Sequence, residues 1–249
     1  MMIKKETNNL SSCDFFFGEI ILFDKPLNWT SFDVVSKIRN AVGVKKVGHA
    51  GTLDPMATGL LIVCTGKKTK EILTFQDLEK TYTGSILLGK RSNSMDLETE
   101  LIGDEDISSV KDEDIISARE KFLGNILQVP PMYSAIKLKG KSLYNMARKG
   151  RTIELKPREV SVSKFEIIEI KKPYVKFEII CSKGTYIRSI ANDFGEELGC
   201  GGVLNSLRRT AIGEYSVNDA LSVDEFISLT LEWKAEKEKE PSECIQQII

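Results

Sequence analysis

The sequence predicts an α+β fold with a central mixed, largely antiparallel sheet flanked by helices. Short β-branched apolar runs and stretches of helical periodicity are mixed without the regular strand–helix–strand rhythm of a parallel sheet. The 249 residues, 41% hydrophobic and 29% charged, have ordinary globular composition and suffice for one large core. We expect a main domain at 18–232, a loose leader at 1–17 and a charged tail at 233–249.

The first elements are a strand, a helix and a loop. Residues 18–23 are apolar and β-branched, which predicts a buried strand. Thr30 or Ser31 can cap the next helix, whose apolar residues recur at helical spacing until Gly43. The stretch 48–59 is rich in glycine, has no periodicity and predicts a loop.

The later elements follow from the same periodicities. Predicted strands cover 60–64, 80–88, 158–169 and 174–181. Predicted helices cover 67–76, 112–122, a segment capped by Thr185, and 203–209. The tract 96–110 is rich in acids and predicts a surface loop.

A net charge of −1 conceals two oppositely charged segments. Residues 96–120 hold ten acids and two bases, whereas residues 128–160 hold eight bases and two acids. Prolines and glycines interrupt 128–151, which therefore predicts a projecting arm rather than core. The two segments are either solvated faces that balance each other or a basic surface for nucleic acid beside an acidic loop.

Several functional classes are disfavoured by composition. No apolar run approaches the roughly 18 residues that span a bilayer, and the N-terminus lacks the apolar region of a signal peptide. We therefore expect a cytoplasmic protein that does not enter membranes. The five cysteines are scattered and His49 is the only histidine, so we expect neither a zinc site nor a disulfide framework.

Asp54 is the first candidate for chemistry. It lies in the glycine-rich stretch 48–59, where glycines allow unusual backbone and Pro55 restricts the next residue. A carboxylate there has a defined position and could act in catalysis. Asp-Pro equally often begins a turn, and spacing alone supports both interpretations.

Two further motifs hold candidate residues. Tyr82 lies near the start of a predicted strand and could face a cleft, although a tyrosine in a strand more often serves packing. Arg188 lies with Tyr186 near the N-terminus of a predicted helix, where a cation opposes the helix dipole. Arg188 is therefore expected to pair with an acid elsewhere. If that acid is Asp54, the arginine lowers the pKa of the carboxyl group and keeps it ionised.

The predicted arm combines cations with aromatic rings. Such a segment can neutralise phosphates and stack on bases, which suits a structured, partly single-stranded RNA. The alternative is a basic solvated hairpin. The candidate RNA-binding residues are Lys137, Lys139, Lys141, Arg148 and Lys149, with Tyr133 and Tyr144 among them.

Taken together, these motifs resemble the TruB family of tRNA pseudouridine synthases over residues 18–215. Six segments occur in one order at compatible spacing, which makes the resemblance specific. They are KPLNWTSFDVV (25–35), GHAGTLDPMATGLL (48–61), KTYTGSILLG (80–89), QVPPMYSAIKLKGKSLYNMARKG (128–150), CSKGTYIRSIANDFGEELG (181–199) and LRRTAIGEY (207–215).

The resemblance implies the pseudouridine synthase fold and a role for each matching residue. Asp54 matches the nucleophile, Tyr82 the tyrosine that stacks on the target uracil, and Arg188 the arginine that pairs with the nucleophile. The remaining matches are Tyr186 to a second active-site tyrosine, His49 to a histidine beside the flipped base, Leu207 to a residue lining the uracil pocket, Lys25 and Pro26 to a pair supporting the catalytic loop, and 128–150 to the insertion that clamps the T arm.

The implied activity is isomerisation of the T-loop uridine of tRNA to pseudouridine by one chain. The reaction involves no redox change and no transferred group, so we expect no cofactor and no metal. The carbon that Asp54 attacks stays open, and Tyr82 and Asp54 are both candidates for removing the C5 proton. The alternatives are a tRNA-folding factor with secondary catalysis and a guide-dependent relative acting on another RNA.

Two departures from the family pattern bear on these expectations. Asn28 stands where the family usually has glycine, and asparagine tolerates the left-handed backbone better than most residues. Only about 30 residues follow Tyr215, so we expect no full C-terminal RNA-binding domain.

Overall fold

The computed structural model describes residues 1–134, 136–138, 140–151 and 153–239. Its strands are β1 (Met2–Ile3), β2 (Ile20–Lys25), β3 (Val47–Ala50), β4 (Ala57–Thr65), β5 (Lys80–Leu88), β6 (Arg91–Ser92), β7 (Leu101–Ile102), β8 (Gly124–Gln128), β9 (Lys137–Leu138), β10 (Lys141–Ser142), β11 (Arg158–Lys171), β12 (Tyr174–Cys181), β13 (Gly202–Ile212) and β14 (Tyr215–Ser216). Its helices are α1 (Ser31–Val42), α2 (Ile72–Asp77), α3 (Asp112–Ala118), α4 (Leu143–Ala147), α5 (Ile187–Glu197) and α6 (Val223–Lys239), with 3₁₀ turns at Gly66–Glu71, Arg119–Phe122 and Val217–Asp219.

The chain forms two compact units, one of residues 1–76 with the chain from Tyr215 onward, the other of residues 77–214. In the first unit β1 pairs in parallel with β2, and β4 pairs antiparallel with β2 and β3. In the second unit β13, β5, β12, β11 and β8 lie side by side in that order, each antiparallel to its neighbours. The predicted α+β fold with mixed, largely antiparallel strands is confirmed.

Helix α1 begins and ends where the sequence predicts. Thr30 is the N-cap and forms a capping box with Asp33, while Gly43 closes the helix in the left-handed conformation with φ of 70°. Val34 and Ile38 are fully buried in the core of the first unit. This placement fixes the start of α1, which supports the loop containing Asp54.

The leader is more ordered than its composition suggests. Within residues 1–17, Met2–Ile3 forms a strand against β2. Leu10 and Phe15 are 1% and 2% exposed and belong to the core of the first unit. Because polar residues lie between these apolar side chains, the sequence shows no periodicity that would predict their burial.

Helix α6 continues beyond residue 233, where the composition predicts the start of a charged tail. Val223, Phe226 and Thr230 are buried at helical spacing, and the ring of Trp233 lies 5.2 Å from that of Phe15. The apolar stripe therefore holds the helix into the charged stretch. Residues 240–249 of the predicted tail lie outside the described residues.

The second unit has its own aromatic core. The rings of Phe122, Phe165, Phe177 and Phe194 lie in a chain of contacts with centroids 5.6 to 6.2 Å apart. Phe194 comes from α5, so these contacts hold the helix against the strands. The apolar face of α5 consists of Ile187, Ile190, Ala191 and Phe194, which are buried.

The helix predicted at 203–209 is wrong, because these residues belong to the long strand β13. Leu204 and Leu207 have the three-residue spacing of a helix. In the structure, register shifts at 204–206 and 209–211 interrupt the pairing of β13 with β5. Such bulges break the two-residue alternation of a strand, so the alternation that would predict a strand is absent from this part of the sequence.

The predicted cap of α5 is also wrong. Tyr186 is the N-cap and its side chain makes no capping bond. The hydroxyl of Thr185 instead donates to the carbonyl of Ser182 at 3.0 Å, within the turn that precedes the helix. Thr185 therefore serves the turn and not the helix.

Candidate functional site

Asp54 lies in the loop that joins β3 to β4 in a hairpin. The predicted loop at 48–59 shrinks to residues 51–56, since both ends of that stretch are strand. Gly48 lies inside β3. A glycine suits this strand position because a Cβ there would come within 2.8 Å of the Ile72 side chain. The N–H of Ala57 donates to the carbonyl of Asp54 at 3.0 Å and closes a turn with Pro55 in its second position. Asp54 is thus the first residue of a turn.

Two bonds anchor this loop on either side of Asp54. The N–H of Leu53 donates to the Ser31 hydroxyl at 2.8 Å, and that hydroxyl lies 3.1 Å from the Leu53 carbonyl. After Asp54, the carbonyl of Pro55 accepts from the N–H of Asn28 at 2.9 Å. The backbone on both sides of the half-buried carboxylate is therefore fixed, as a positioned catalytic group requires.

The residues before α1 support the same loop. Asn28 adopts φ of 64°, so the left-handed turn expected where the family has glycine is present. Lys25 is fully buried, and its ammonium donates to the carbonyls of Pro26 at 2.9 Å and Trp29 at 2.6 Å. Lys25 thereby stabilises the turn from which the N–H of Asn28 bonds to the loop. His49 lies on β3 opposite Val63 and is half-buried.

Tyr82 and Leu207 lie on neighbouring strands of the second unit. Tyr82 is 8% exposed on β5, between Ile179 of β12 and Arg209 of β13. Leu207 faces Gly84 on the next strand and is half-buried. The two residues predicted to contact uracil are thus two register positions apart on paired strands.

Lys80 begins the strand that carries Tyr82. It is 5% exposed, and its ammonium donates to the carbonyl of Leu78 at 2.5 Å. Burial, and next the charge of Arg209, lowers the pKa of Lys80 to about 8. This end of β5 therefore carries a cation that loses its proton far more readily than an exposed lysine.

Arg188 is anchored inside the second unit by three groups. Its guanidinium donates to the carbonyls of Ser94 at 3.1 Å and Tyr133 at 2.7 Å. Its Nε lies 3.6 Å from a carboxylate oxygen of Asp96, and both side chains are almost fully buried. The expected pairing of Arg188 with an acid is confirmed for Asp96. The pairing with Asp54 stays a prediction.

Asp96 is a site residue for which the sequence gives no distinguishing signal. It is the first acid of the acidic segment, for which the composition predicts a surface loop. The turn around it is tightly held: Met95 has φ of 63°, and the carbonyl of Asp96 accepts from the hydroxyl of Ser92 at 2.6 Å. The N–H of Glu98 donates to the carboxylate of Asp96 at 3.0 Å. Only the fold distinguishes this acid from its exposed neighbours.

Residues at the beginning of the arm form hydrogen bonds with the start of α5. The buried amide of Gln128 donates to the carbonyl of Tyr186 at 3.0 Å and accepts from its N–H at 2.8 Å. The hydroxyl of Ser189 donates to the carbonyl of Val129 at 3.0 Å. With the bond from Arg188 to Tyr133, these contacts fix Tyr186 and Arg188 relative to the arm.

We predict that Gln128→Ala lowers the free energy of unfolding by about 1–3 kcal/mol, because it leaves the N–H of Tyr186 without its acceptor and removes one of the two donors to the Tyr186 carbonyl, the other being the N–H of Ile190. A urea titration measures the change. Gln128→Glu is the matched control, because it retains an acceptor for the N–H of Tyr186 and loses only the donor. Its loss of unfolding free energy should therefore differ from that of Gln128→Ala. An unchanged midpoint for Gln128→Ala would show that the amide does not hold the helix.

The predicted arm contains a short hairpin of β9 and β10 followed by α4. Arg148 and Lys149 are exposed just after α4, while Lys137 and Lys141 lie in the paired strands. Lys139 lies outside the described residues. The ring of Tyr144 meets that of Tyr133 edge-on at 6.0 Å, and its hydroxyl bonds to Glu98. The arm thus contacts the turn that carries Asp96.

A group of metal ligands and a membrane-spanning helix are both absent from the described part of the chain. Within it, no group of three or more His, Cys, Asp or Glu side chains is placed to hold a metal ion. No helix there is both long and apolar enough to cross a membrane. The cysteines at 13, 64, 181 and 200 are buried, and burial raises the pKa of the Cys64 thiol to about 12.

Comparison with known protein families decides the family. The model described as TruB family pseudouridylate synthase (N terminal domain) matches residues 39–187, more than half of the chain. The chain belongs to the TruB family. A second model, tRNA pseudouridylate synthase B C-terminal domain, matches residues 188–248.

Curated relatives of this TruB-family chain agree with the match. It is 52% identical over 215 residues to tRNA pseudouridine synthase B of Chloroherpeton thalassium, covering 84% of this chain and 89% of the relative. It is 43% identical over 235 residues to the protein of the same name from Parabacteroides distasonis, covering 91% and 100%.

Solved structures show the same fold. A Cbf5-Nop10-Gar1 complex contains a chain similar to this one with a TM-score of 0.69 and 28% identity, covering 90% of this chain and 57% of the solved one. An H/ACA RNP bound to a substrate RNA containing 2'-deoxyuridine gives a TM-score of 0.66 and 27% identity, covering 91% and 57%. This chain therefore spans somewhat over half the length of those two.

Proposed function

We propose that this chain converts the T-loop uridine of tRNA to pseudouridine, with Asp54 as the catalytic carboxylate. The observation that carries the proposal is the fixed backbone around Asp54. Ser31 and Asn28 hold the loop before and after Asp54. Asp54 itself lies in the segment 39–187 that matches the TruB model. The names of the curated relatives, tRNA pseudouridine synthase B, support the reaction and the substrate.

The reaction sets demands that these residues can meet. The N-glycosidic bond must break, the uracil must turn, and a bond must form through C5. The base must first leave its stack, which costs a few kcal/mol and less in a loop than in a duplex. We propose that the ring of Tyr82 replaces this stacking, with Leu207 beside it on the neighbouring strand. An ionised carboxylate then divides the hard step into easier ones by forming a covalent intermediate.

The contacts within the second unit suggest how Arg188 acts. Carbonyls of Ser94 and Tyr133, together with Asp96, restrain the guanidinium in one orientation. A preorganised cation costs no rearrangement when charge develops during the reaction. We therefore propose Asp96 as the residue that positions Arg188, with Tyr186 and His49 contacting the RNA around the flipped base.

The arm is proposed to bind the T arm of tRNA through its cations. Removing charge with Arg148→Gln and Lys149→Gln should weaken tRNA binding and flatten its salt dependence, by about 0.7–0.9 in log–log slope for each phosphate that the arm no longer neutralises. The same change at Lys137, Lys139 and Lys141 should act in the same direction. The exposed lysines of α6 give a control, since Lys234→Gln with Lys237→Gln should leave the slope unchanged. Equal salt-dependence slopes for the arm variants and the wild type would show that the arm does not contact the phosphate backbone of tRNA.

Incubation with an unmodified tRNA transcript, followed by mapping of any pseudouridine, tests the proposed function. We expect one product site in the T loop, formed by the purified chain without added metal, cofactor or second protein. Pseudouridine elsewhere in the tRNA would reject the assignment of the substrate position. Absence of product with a folded, tRNA-binding protein would reject the catalytic assignment.

A further inference from the structure

Three consecutive phenylalanines in the leader are treated very differently by the fold. Phe15 is 2% exposed, and its ring meets those of Phe226 and Trp233 edge-on. Phe16 and Phe17 are 83% and 57% exposed. Burial in the core explains the first ring but not the other two.

The exposed pair is held in a locked turn. One carboxylate oxygen of Asp14 accepts from the N–H groups of Phe16 at 2.9 Å and Phe17 at 2.8 Å. The carbonyl of Asp14 accepts from Gly18 at 2.7 Å, and the carbonyl of Phe17 accepts from the N–H of Lys67 at 2.7 Å. The two rings are therefore presented by a fixed backbone.

Glycine is required on both sides of this contact. A Cβ on Gly66 would lie 2.2 Å from the carbonyl oxygen of Phe16, and one on Gly18 would lie 2.6 Å from the backbone at Thr65 and Lys68. Both glycines also have positive φ, of 50° and 134°. The close approach of the two backbones keeps the turn against the 3₁₀ segment Gly66–Glu71.

Cations lie near the turn that carries the exposed rings. The ammonium of Lys67 lies 4.4 Å from the centroid of the Phe17 ring. In a 3₁₀ helix, side chains three residues apart lie on the same side, so Lys70 shares a row with Lys67. The next row is neutral, because Lys68 pairs with Glu71 at 2.7 Å. Lys45 and Lys46 are exposed at the strand end where the carbonyl of Lys46 accepts from Gly66 at 2.8 Å.

We propose that Phe16, Phe17, Lys67 and Lys70 form a second RNA-binding surface, which stacks on unpaired bases and neutralises their phosphates. Exposed aromatic rings interleaved with cations are the groups that bind single-stranded RNA without reading its sequence. The charge selects this partner, since a second copy would bring like charges together. The proposal rests on the proposed function only in taking RNA as the ligand.

Variants of the two rings test the surface by tRNA affinity and by turnover. Phe16→Ala with Phe17→Ala should weaken tRNA binding about 10-fold or more and leave turnover at saturating tRNA unchanged. Phe16→Trp with Phe17→Trp should restore affinity because tryptophan also stacks, whereas the leucine pair, apolar but not aromatic, should not. Lys67→Gln with Lys70→Gln should flatten the salt dependence. Leu231→Ala removes an apolar side chain on α6 whose exposed fraction lies between those of Phe16 and Phe17, and it should leave tRNA affinity unchanged.

Unchanged affinity of the folded alanine pair would overturn the proposal. If the leucine pair restores tRNA affinity as well as the tryptophan pair does, the rings act by general apolar contact and not by stacking. That result would also overturn the proposal. If the wild type is a dimer in light scattering and the alanine pair is a monomer, the rings belong to self-association instead. These binding results do not depend on catalysis. A wild type that binds tRNA without making pseudouridine would defeat the proposed function and leave this comparison intact.

Discussion

The Asp54→Asn variant is expected to lose pseudouridine formation by at least ~10³-fold, on the scale of other removed nucleophiles. The amide is close in shape to the carboxylate and suits the first position of a turn, so the backbone held by Ser31 and Asn28 should not change. It cannot supply the negative charge that attack or assisted elimination requires. Single-turnover conversion of a tRNA transcript measures the loss.

The binding of tRNA separates a chemical role of Asp54 from a structural one. We expect the dissociation constant to stay within a few-fold of wild type, because one short side chain contributes little to a large polyanion interface. Asp224→Asn, a change of the same chemistry at an exposed position of α6, should be fully active. Turnover like that of the wild type by Asp54→Asn would end the proposed role. Rescue of tRNA folding by the inactive variant would instead favour the folding-factor alternative.

The sequence predicts well those elements whose periodicity is unbroken. The strand at 80–88 coincides with β5, and α1 begins at its predicted cap and ends at Gly43. In both, local chemistry agrees with tertiary packing. The capping box of Thr30 with Asp33 satisfies the helix end independently of the rest of the fold.

Prediction fails where tertiary pairing decides the structure. The bulges of β13 arise from its register with β5 and have no local signal. The leader joins the core through side chains far apart in the sequence, such as Phe15 and Trp233. Only the chain's return after the second unit brings α6 to that core, and periodicity over a short window cannot report this.

The candidate site shows the same division. Asp54, Tyr82 and Arg188 stand out because their motifs match a known family. Asp96 and Gln128 do not, because their importance comes from burial and from partners dozens of residues away. An acid among ten acids and an amide before two prolines carry no distinguishing signal until the fold removes them from water.

Breaking the Arg188–Asp96 pair is expected to give the largest loss of stability. Both side chains are almost fully buried, so Arg188→Met leaves the Asp96 carboxylate without its cation and should cost about 3–5 kcal/mol of unfolding free energy. It also removes the donors to the carbonyls of Ser94 and Tyr133. A urea titration measures the cost, and turnover should fall with it because the guanidinium is gone.

A double-mutant cycle separates the pair from the other contacts of Arg188. Asp96→Asn keeps an oxygen that can accept from the N–H of Glu98, so this variant should be milder than Arg188→Met. Once Asp96 is neutral, Arg188→Met no longer strands a buried charge, and the double variant should lose less stability than the two single losses added together. Additive losses would show that the 3.6 Å approach of Arg188 to Asp96 contributes no coupling. In that case Asp96→Asn should turn over tRNA like the wild type. If Asp96 positions the guanidinium as proposed, turnover at saturating tRNA should fall in Asp96→Asn even at temperatures where the variant stays folded.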